Sequence, residues 1–335
     1  MTPRRIPRRG SVGAVGEFGL IRLIAGWMRT QPRIPGLVKG MGDDCATLLV
    51  RGGRAQLKTD AAVEGIHFRR EWAAPGDIGW KALCANVSDI AAAGGRPLAA
   101  LISLELPPAT PVAWVKGLYT GFVACARRYR FAIAGGNISS GPHIAIHVSM
   151  TGEAPRRLIG RSDARPGDLV AVTGALGGSE AGLAALQRGW RDPAARAEIA
   201  THLRPQPNVR AGQVLARHAS AMCDISDGLV ADAGHVARES KVRLALVPGA
   251  IPVPLGAAAL ATRLGTTSAN LAMASGEEYV LLATVPRRCW KLAKAAAEKA
   301  GAELVAVGEV RRGRGVAILG PGRPPHGYDH FRRTA

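Results

Sequence analysis

Aromatic residues are scarce in this sequence, at 4% of 335 positions, and acids are few, with 25 Asp and Glu against 44 Lys and Arg. The five cysteines are odd in number and form no Cys-x-x-Cys pair. That argues against a disulfide framework and a zinc site, and for reduced thiols at Cys45, Cys84, Cys125, Cys223 and Cys289 that act as small buried hydrophobes. A long apolar run is also lacking. The longest uncharged stretch, Leu244–Thr262, is broken by Pro248, Gly249, Pro252, Pro254 and Gly256. It reads as strand and loop, not as a membrane span. Residues 1–10 are basic, but no apolar segment follows in signal-peptide form, so a cytoplasmic location is expected.

What is present is a 47% apolar content dominated by small and aliphatic residues. Over this length it supports two domains with full cores and excludes disorder over most of the chain. The formal net charge is +19. It has two readings: a general bias toward Arg plus a disordered basic tail over residues 1–12 (Arg4, Arg5, Arg8, Arg9), or nucleic-acid binding. The lack of an aromatic-rich basic face or nucleic-acid motif favours the first.

Apolar spacing predicts a helix over Gly16–Arg29. Two strand-like runs, Ala46–Val50 and Ala55–Thr59, flank Arg51-Gly-Gly-Arg54 as a hairpin. A helix is expected over Asp77–Ala93, with Asp77 as N-cap and Gly94-Gly95 as its stop. Strand Leu98–Leu106, helix Val112–Arg128, and strands Phe131–Ala134 and Ile144–Thr151 around a glycine-rich loop complete the first half. A boundary falls near Glu153–Asp168. Beyond it are a strand (Leu169–Thr173), a helix (Ser179–Arg188), a helix after Asp227, strands near Arg243–Val247 and Val280–Val285, a helix (Trp290–Ala300) and a strand (Glu303–Val310). The alternation indicates two α/β sandwich domains, 13–153 and 154–335.

The few acids are placed unusually. Asp43-Asp44, Asp60, Glu64, Asp89, Asp224, Asp227 and Glu277-Glu278 sit in glycine-rich or apolar sequence at the ends of expected elements. Taken singly, Asp44, Asp60 and Asp227 read more readily as caps or turn residues. Together they imply buried carboxylates, which need cationic compensation. Few Lys or Arg flank them, and Mg²⁺, an oxygen-seeking ion that bridges to phosphates, fits better. The Gly135-Gly136-Asn137 segment is either a plain turn or a loop whose amides approach a phosphate. Arg161 either pairs with phosphate or covers the boundary, and His67 either orients a ligand or is structural.

In order along the chain, Gly16-Glu-Phe-Gly-Leu-Ile21, Gly42-Asp-Asp-Cys-Ala46, Thr59-Asp60, Val63-Glu-Gly-Ile-His-Phe68, Lys81–Gly94, Gly135-Gly136, Asp224-Ile-Ser-Asp-Gly-Leu229, Ser275-Gly-Glu-Glu-Tyr279 and Gly327-Tyr-Asp-His-Phe331 resemble the thiamine-monophosphate kinase family. Its superfamily includes aminoimidazole ribonucleotide synthetase, selenophosphate synthetase and a hydrogenase maturation protein. No Cys precedes Cys45 and the chain ends Arg332-Arg-Thr-Ala335, unlike the last two. The resemblance implies a two-domain aminoimidazole ribonucleotide synthetase-like α/β fold, with the N-terminal sheet shared across a homodimer. It also implies direct in-line transfer from ATP to thiamine phosphate without a phosphoenzyme. The metal positions it implies are Asp44, Lys58, Thr59, Asp60, Asp89, Asn137, Asp224 and Asp227. The ATP contacts are Gly136, Asn137, Arg161, Ser226 and Tyr129, and the thiamine-phosphate contacts His67, Glu277 and Tyr328. No covalent nucleophile is implied.

Three departures stand out. Lys58 occupies a place where the family usually has Ser or Thr, which leaves its backbone carbonyl for a metal. The family's Gly-Gly-Asp-Thr-Thr-Arg reads Gly135-Gly-Asn-Ile-Ser-Ser140, which removes one carboxylate and one Arg. Val280 replaces a common acid. The alternatives are a superfamily enzyme with another acceptor, or a degenerate nucleotide-binding or nucleic-acid-associated paralogue.

Overall fold

The computed structural model describes residues 37–39 and 43–320. The expected basic tail, first helix and Tyr328 motif lie outside them. The first half forms a six-stranded sheet from β1 (Leu37–Lys39), β2 (Ala46–Val50), β3 (Gly53–Val63), β4 (Arg96–Leu106), β5 (Ala132–Ser140) and β6 (Ala145–Glu153), in the order β1-β2-β3-β6-β4-β5. All pairs are antiparallel except β4 with β5. Residues alternate across the pleat. Ile146, Val148 and Met150 of β6 are buried, whereas His147 and Ser149 between them are exposed. The sheet therefore has an inner face under α1 (Pro75–Ala92) and an outer face without a covering helix among the described residues.

Helix α1 is buried on nearly every side, as befits a helix without a polar stripe. It packs on the inner face of the first sheet, on α2 (Val112–Tyr129), and on α5 and β8 of the second half. Pro75 starts it, since a fixed φ and a missing N–H cost nothing at the first helical position. Asp77 is not its cap. The N-cap is Ala74, and Asp77 in the first turn pairs with Arg204 at 2.5 Å. Gly94, at φ +68°, ends the helix as expected. Glycines bring α1 and α2 into backbone contact. A Cβ on Gly79 would lie 2.3 Å from the Leu118 oxygen, and one on Gly121 would lie 1.9 Å from that of Gly76.

The second sheet holds β7 (Leu169–Val172), β8 (Ala221–Asp224), β9 (Arg243–Leu246), β10 (Leu281–Val285), β11 (Val305–Arg311) and β12 (Gly315–Ile318), ordered β12-β9-β11-β7-β10-β8. Its helices are α3 (Gly178–Arg188), α4 (Pro193–Leu203), α5 (Val209–Leu215), α6 (Leu229–Ser240), α7 (Leu255–Arg263), α8 (Ser268–Ala274) and α9 (Trp290–Lys299). Two readings from sequence need correction. Leu244–Thr262 is strand only to Leu246, and Pro254 then introduces α7, because proline at a helix start is permissive. The glycine-rich segment 135–137 is no loop. It runs inside β5, paired with Leu101, Ile102 and Ser103 of β4. A Cβ on Gly136 would sit 1.8 Å from the Ile102 oxygen, so this glycine permits close strand approach. Helices α4, α5 and α8 were not read from sequence, although each has a side-chain cap: Asp192, Asn208 and Thr267 accept from Ala195, Ala211 and Asn270.

The close α1–α2 contact makes Gly121→Ala an overpacking substitution, expected to cost about 1–3 kcal/mol. Gly249→Ala, where an added Cβ meets nothing within 4 Å, should stay within about 0.5 kcal/mol of the parent. Denaturant midpoints of the two variants check the difference; equal midpoints would refute the packing argument.

Candidate active site

Three buried carboxylates converge between the two sheets. Asp44 lies in the turn before β2, Asp89 in the last turn of α1, and Asp224 at the end of β8. Each offers an oxygen within 4.8 Å of the others. The Asp44 Oδ2 atom is buried and has no hydrogen-bond partner. Three converging carboxylates with an unpartnered buried oxygen fit a hard divalent cation in both chemistry and spacing.

The surroundings leave this charge only partly compensated. Burial pushes Asp224 up to about 7, helped by Asp44 and opposed by a 2.6 Å hydrogen bond from Ser88 Oγ. Burial also raises Asp89, against the pull of Lys58. Arg161 places Nη2 2.7 Å from Asp44 Oδ1. Burial disfavours its charge, but Asp44 together with the other acidic groups around it, Asp232 and Asp224 among them, keeps the guanidinium protonated. Asp43 is set apart from its neighbour. It pairs with Lys39 at 3.1 Å and accepts the backbone N–H of Arg161 at 2.7 Å.

Strand register sorts the β3 candidates. Lys58 and Asp60 pair with buried Met150 and Val148, so they share the inner face. The Lys58 ammonium lies 3.0 Å from Asp89 and 3.4 Å from Asp60. Burial opposes its charge, yet Asp89 and then Asp60 raise its pKa above the ordinary lysine value. An ammonium has no lone pair, so the Lys58 side chain is not a metal ligand and only its carbonyl keeps that possibility. Thr59 pairs with Ser149 on the outer face and donates to the Val148 carbonyl at 3.0 Å. Asn137, opposite Ser103, is exposed on β5. The structure brings neither side chain to the carboxylate trio.

Asp227 belongs to a second group with Asp232 and His235. Buried Asp232 accepts the backbone N–H groups of Ser226 and Asp227 at 3.0 and 3.1 Å, which folds this turn beside Asp224. Tyr129 is in the first-half core, its ring 6.2 Å from that of Trp80. It is not among the carboxylates.

A small cleft near the same helix is lined by His67, Phe68, Trp72, Lys81, His202 and Glu277. Lys81 Nζ lies 2.9 Å from Glu277 Oε2 and 3.1 Å from His202 Nε2. Burial, then Lys81, lowers His202 to about 4, so the ring is neutral at physiological pH. Lys81 can only donate. His202 Nε2 is therefore the acceptor, and Nδ1–H faces Ser179 Oγ at 3.0 Å. Burial opposes the Glu277 carboxylate, but the Lys81 charge and hydrogen bond hold its pKa below the ordinary range. Neighbouring Glu278 is structural. It accepts from Gly177 and Ser179 N–H and from Ser275 Oγ, and burial pushes it up to about 7. Lys81, Ser88 and His202 were missed in the sequence. Lys81 and Ser88 fall in the Lys81–Gly94 motif, but nothing local to His202 marks it.

Comparison with known proteins places this geometry. AIR synthase related protein, N-terminal domain, matches residues 42–154, and AIR synthase related protein, C-terminal domain, matches residues 165–320. Thiamine-monophosphate kinase of Aquifex aeolicus is 37% identical over 319 residues, 95% of this chain and 98% of that protein. The Escherichia coli (strain K12) enzyme of the same name is 33% identical over 333 residues, covering 95% and 99%. The structure of AaThiL complexed with AMPPCP and TMP superposes with a TM-score of 0.86 at 36% identity, covering 95% of this chain and 97% of that one. The trio is drawn from both matched domains, and the relatives are similar over almost the whole length: the chain belongs to the thiamine-monophosphate kinase family.

Proposed function

We propose that this chain transfers the γ-phosphoryl group of ATP directly to the phosphate of thiamine phosphate, with Mg²⁺ held between its two domains. The observation that carries the metal is the convergence of Asp44, Asp89 and Asp224 with an unpartnered Asp44 oxygen. Bound Mg²⁺ bridges phosphate oxygens and neutralises the charge of the transferring group. Asp60, which shares Lys58 with Asp89, and Asp227 of the neighbouring acidic group add carboxylates, and the sequence resemblance adds Thr59. Arg161, locked on Asp44 and with its buried Nε unpartnered, has a donor to offer a nucleotide phosphate. The Gly136 peptide and Ser226 are further nucleotide contacts, as is Asn137 if the nucleotide reaches the outer edge of β5. For phosphoryl transfer this is the appropriate division of labour, because positioning and charge neutralisation supply most of the catalysis.

The cleft suits the acceptor. Glu277 presents a carboxylate to a cationic ring, beside His67 and the aromatic faces of Phe68 and Trp72. Tyr328 is assigned to the acceptor on the sequence resemblance. The AaThiL complex, which holds AMPPCP, an ATP analogue with a non-transferable γ group, together with TMP, supports a two-substrate site of this kind. The outer face of the first sheet supports a homodimer. Leu57 and Leu101 there are 43% and 52% exposed, along a groove with Thr59, Ala99 and Ser149, and apolar surface of this kind favours a second copy. No described helix is long and apolar enough to cross a membrane, and the five cysteines are free thiols, in keeping with a reducing cytoplasm.

Protein incubated with ATP, Mg²⁺ and thiamine phosphate should yield thiamine diphosphate, whereas Asp224→Asn should yield almost none. The variant should keep its fold, with a metal-free melting temperature at alkaline pH equal to or above the parent's, since a raised carboxylate pKa means the ionised form costs stability. Absence of product from the parent, with ATP still bound, would overturn the acceptor.

The raised Asp224 and Asp89 also set a pH dependence. Below their raised pKa values these carboxylates hold protons that a metal has to displace. The Mg²⁺ concentration for half-maximal rate should therefore climb as pH falls from about 8 to about 6; a flat requirement argues against the cluster. Finally, Lys81→Met deprives Glu277 of its cation. The KM for thiamine phosphate should rise roughly tenfold or more, as expected for a lost buried charge pair, with the KM for ATP little changed. Parallel changes in both KM values would disconnect Lys81 from the acceptor cleft.

A further inference from the structure

The carboxylate cluster carries a cation of its own. Lys58 leaves the middle of β3 on the inner face, beside Asp60, and its stem is held between that strand and α1, leaving the side chain one-fifth exposed. Its ammonium stands 3.0 Å from Asp89 Oδ2 and 3.4 Å from Asp60 Oδ2. These are oxygens that a divalent ion would seek. With all four ionised, as a bound metal requires, Asp44, Asp60, Asp89 and Asp224 bring four negative charges together, while Lys58 and Arg161 return two positive ones. The remainder matches the charge of a single divalent ion.

We infer that Lys58 is a tethered cation that stands in for one divalent ion in this cluster, so the chain loads fewer metal ions than its carboxylates would otherwise hold. The inference rests on the metal reading above. Its physics is Coulombic: a fixed positive charge a few ångströms from a metal position repels a second ion and already satisfies the oxygens that ion would use. A lysine is also anchored by its backbone, so this share of the neutralisation persists when magnesium is scarce. The ammonium keeps donors for a phosphate oxygen once nucleotide is present, as lysines do at other phosphate sites.

Mn²⁺ alone is the probe, titrated into the full-length protein and counted by the electron paramagnetic resonance of the free ion. The parent is compared with Lys58→Met, which keeps the length and loses the charge, and Lys58→Arg, which keeps the charge. Lys58→Met should bind one more Mn²⁺ per chain, or bind its tightest ion roughly tenfold or more tightly, while Lys58→Arg keeps the parental count. Without metal, Lys58→Met should melt below the parent, and Mn²⁺ should raise its melting temperature by more than it raises the parent's. If Lys58→Met fails to fold, Lys58→Gln takes its place. Measurable parental binding that is unchanged in count and affinity in the uncharged variant overturns the tethered cation and leaves the metal reading standing. No Mn²⁺ bound by any of the three overturns both.

Discussion

The costliest interaction in this fold is the burial of several carboxylates in one place. Asp89 lies in the last turn of α1, where the helix dipole is negative and disfavours an anion. Asp224 and Asp44 are brought beside it from β8 and from the turn before β2. Leaving these charges uncompensated would work against folding. The structure answers with a hydrogen bond from Ser88, a guanidinium from Arg161 and an ammonium from Lys58, and one oxygen of Asp44 is left without a hydrogen-bond partner. Two of these contacts, Ser88 with Asp224 and Arg161 with Asp44, run between the two halves of the chain. The demand for neutralisation thus also fastens the halves together.

Helix α1 organises both parts of the site. Lys81 and Asp89 are eight residues apart, about 12 Å along the helix at 1.5 Å per residue. One end serves the Glu277 cleft and the other the carboxylates. A fully buried helix makes a stiff ruler, and its glycine contacts with α2 and its packing on α5 hold it from both sides. Two substrates whose reacting groups must meet in line gain from such a fixed spacing. The Lys81–His202–Ser179 chain adds rigidity at the cleft end. A desolvated neutral imidazole accepts from Lys81 and faces Ser179, which leaves the lysine charge directed at Glu277.

Much of this was legible because the informative residues break a local rule. Acids set in glycine and aliphatic sequence are out of place unless buried, and Asp44, Asp89 and Asp224 were found on that ground. The hairpin around Arg51-Gly-Gly-Arg54 and the long helices followed from periodicity and punctuation. Other features were illegible for equally physical reasons. Gly135-Gly136 has the composition of a turn, and only the proximity of β4 makes it a strand. Adjacent residues Lys58 and Thr59 look alike as candidates, but the pleat sends them to opposite faces. Glu277 and Glu278 are likewise neighbours with different fates: one carboxylate meets Lys81 in the cleft, and the other accepts backbone amides at the start of α3.

By itself the sequence determined the domain pattern, the family and the kind of chemistry, because composition, spacing and motif are local properties. Tertiary structure alone decided which acids converge. That depends on distances between segments more than a hundred residues apart, such as Asp44 and Arg161 or Ser88 and Asp224. It also gave Lys58 its meaning. In the sequence this residue is a departure from the Ser or Thr that the family resemblance leads one to expect. In the fold its ammonium lies between Asp60 and Asp89, because strand β3 and the last turn of α1 place three charged groups within reach of one another.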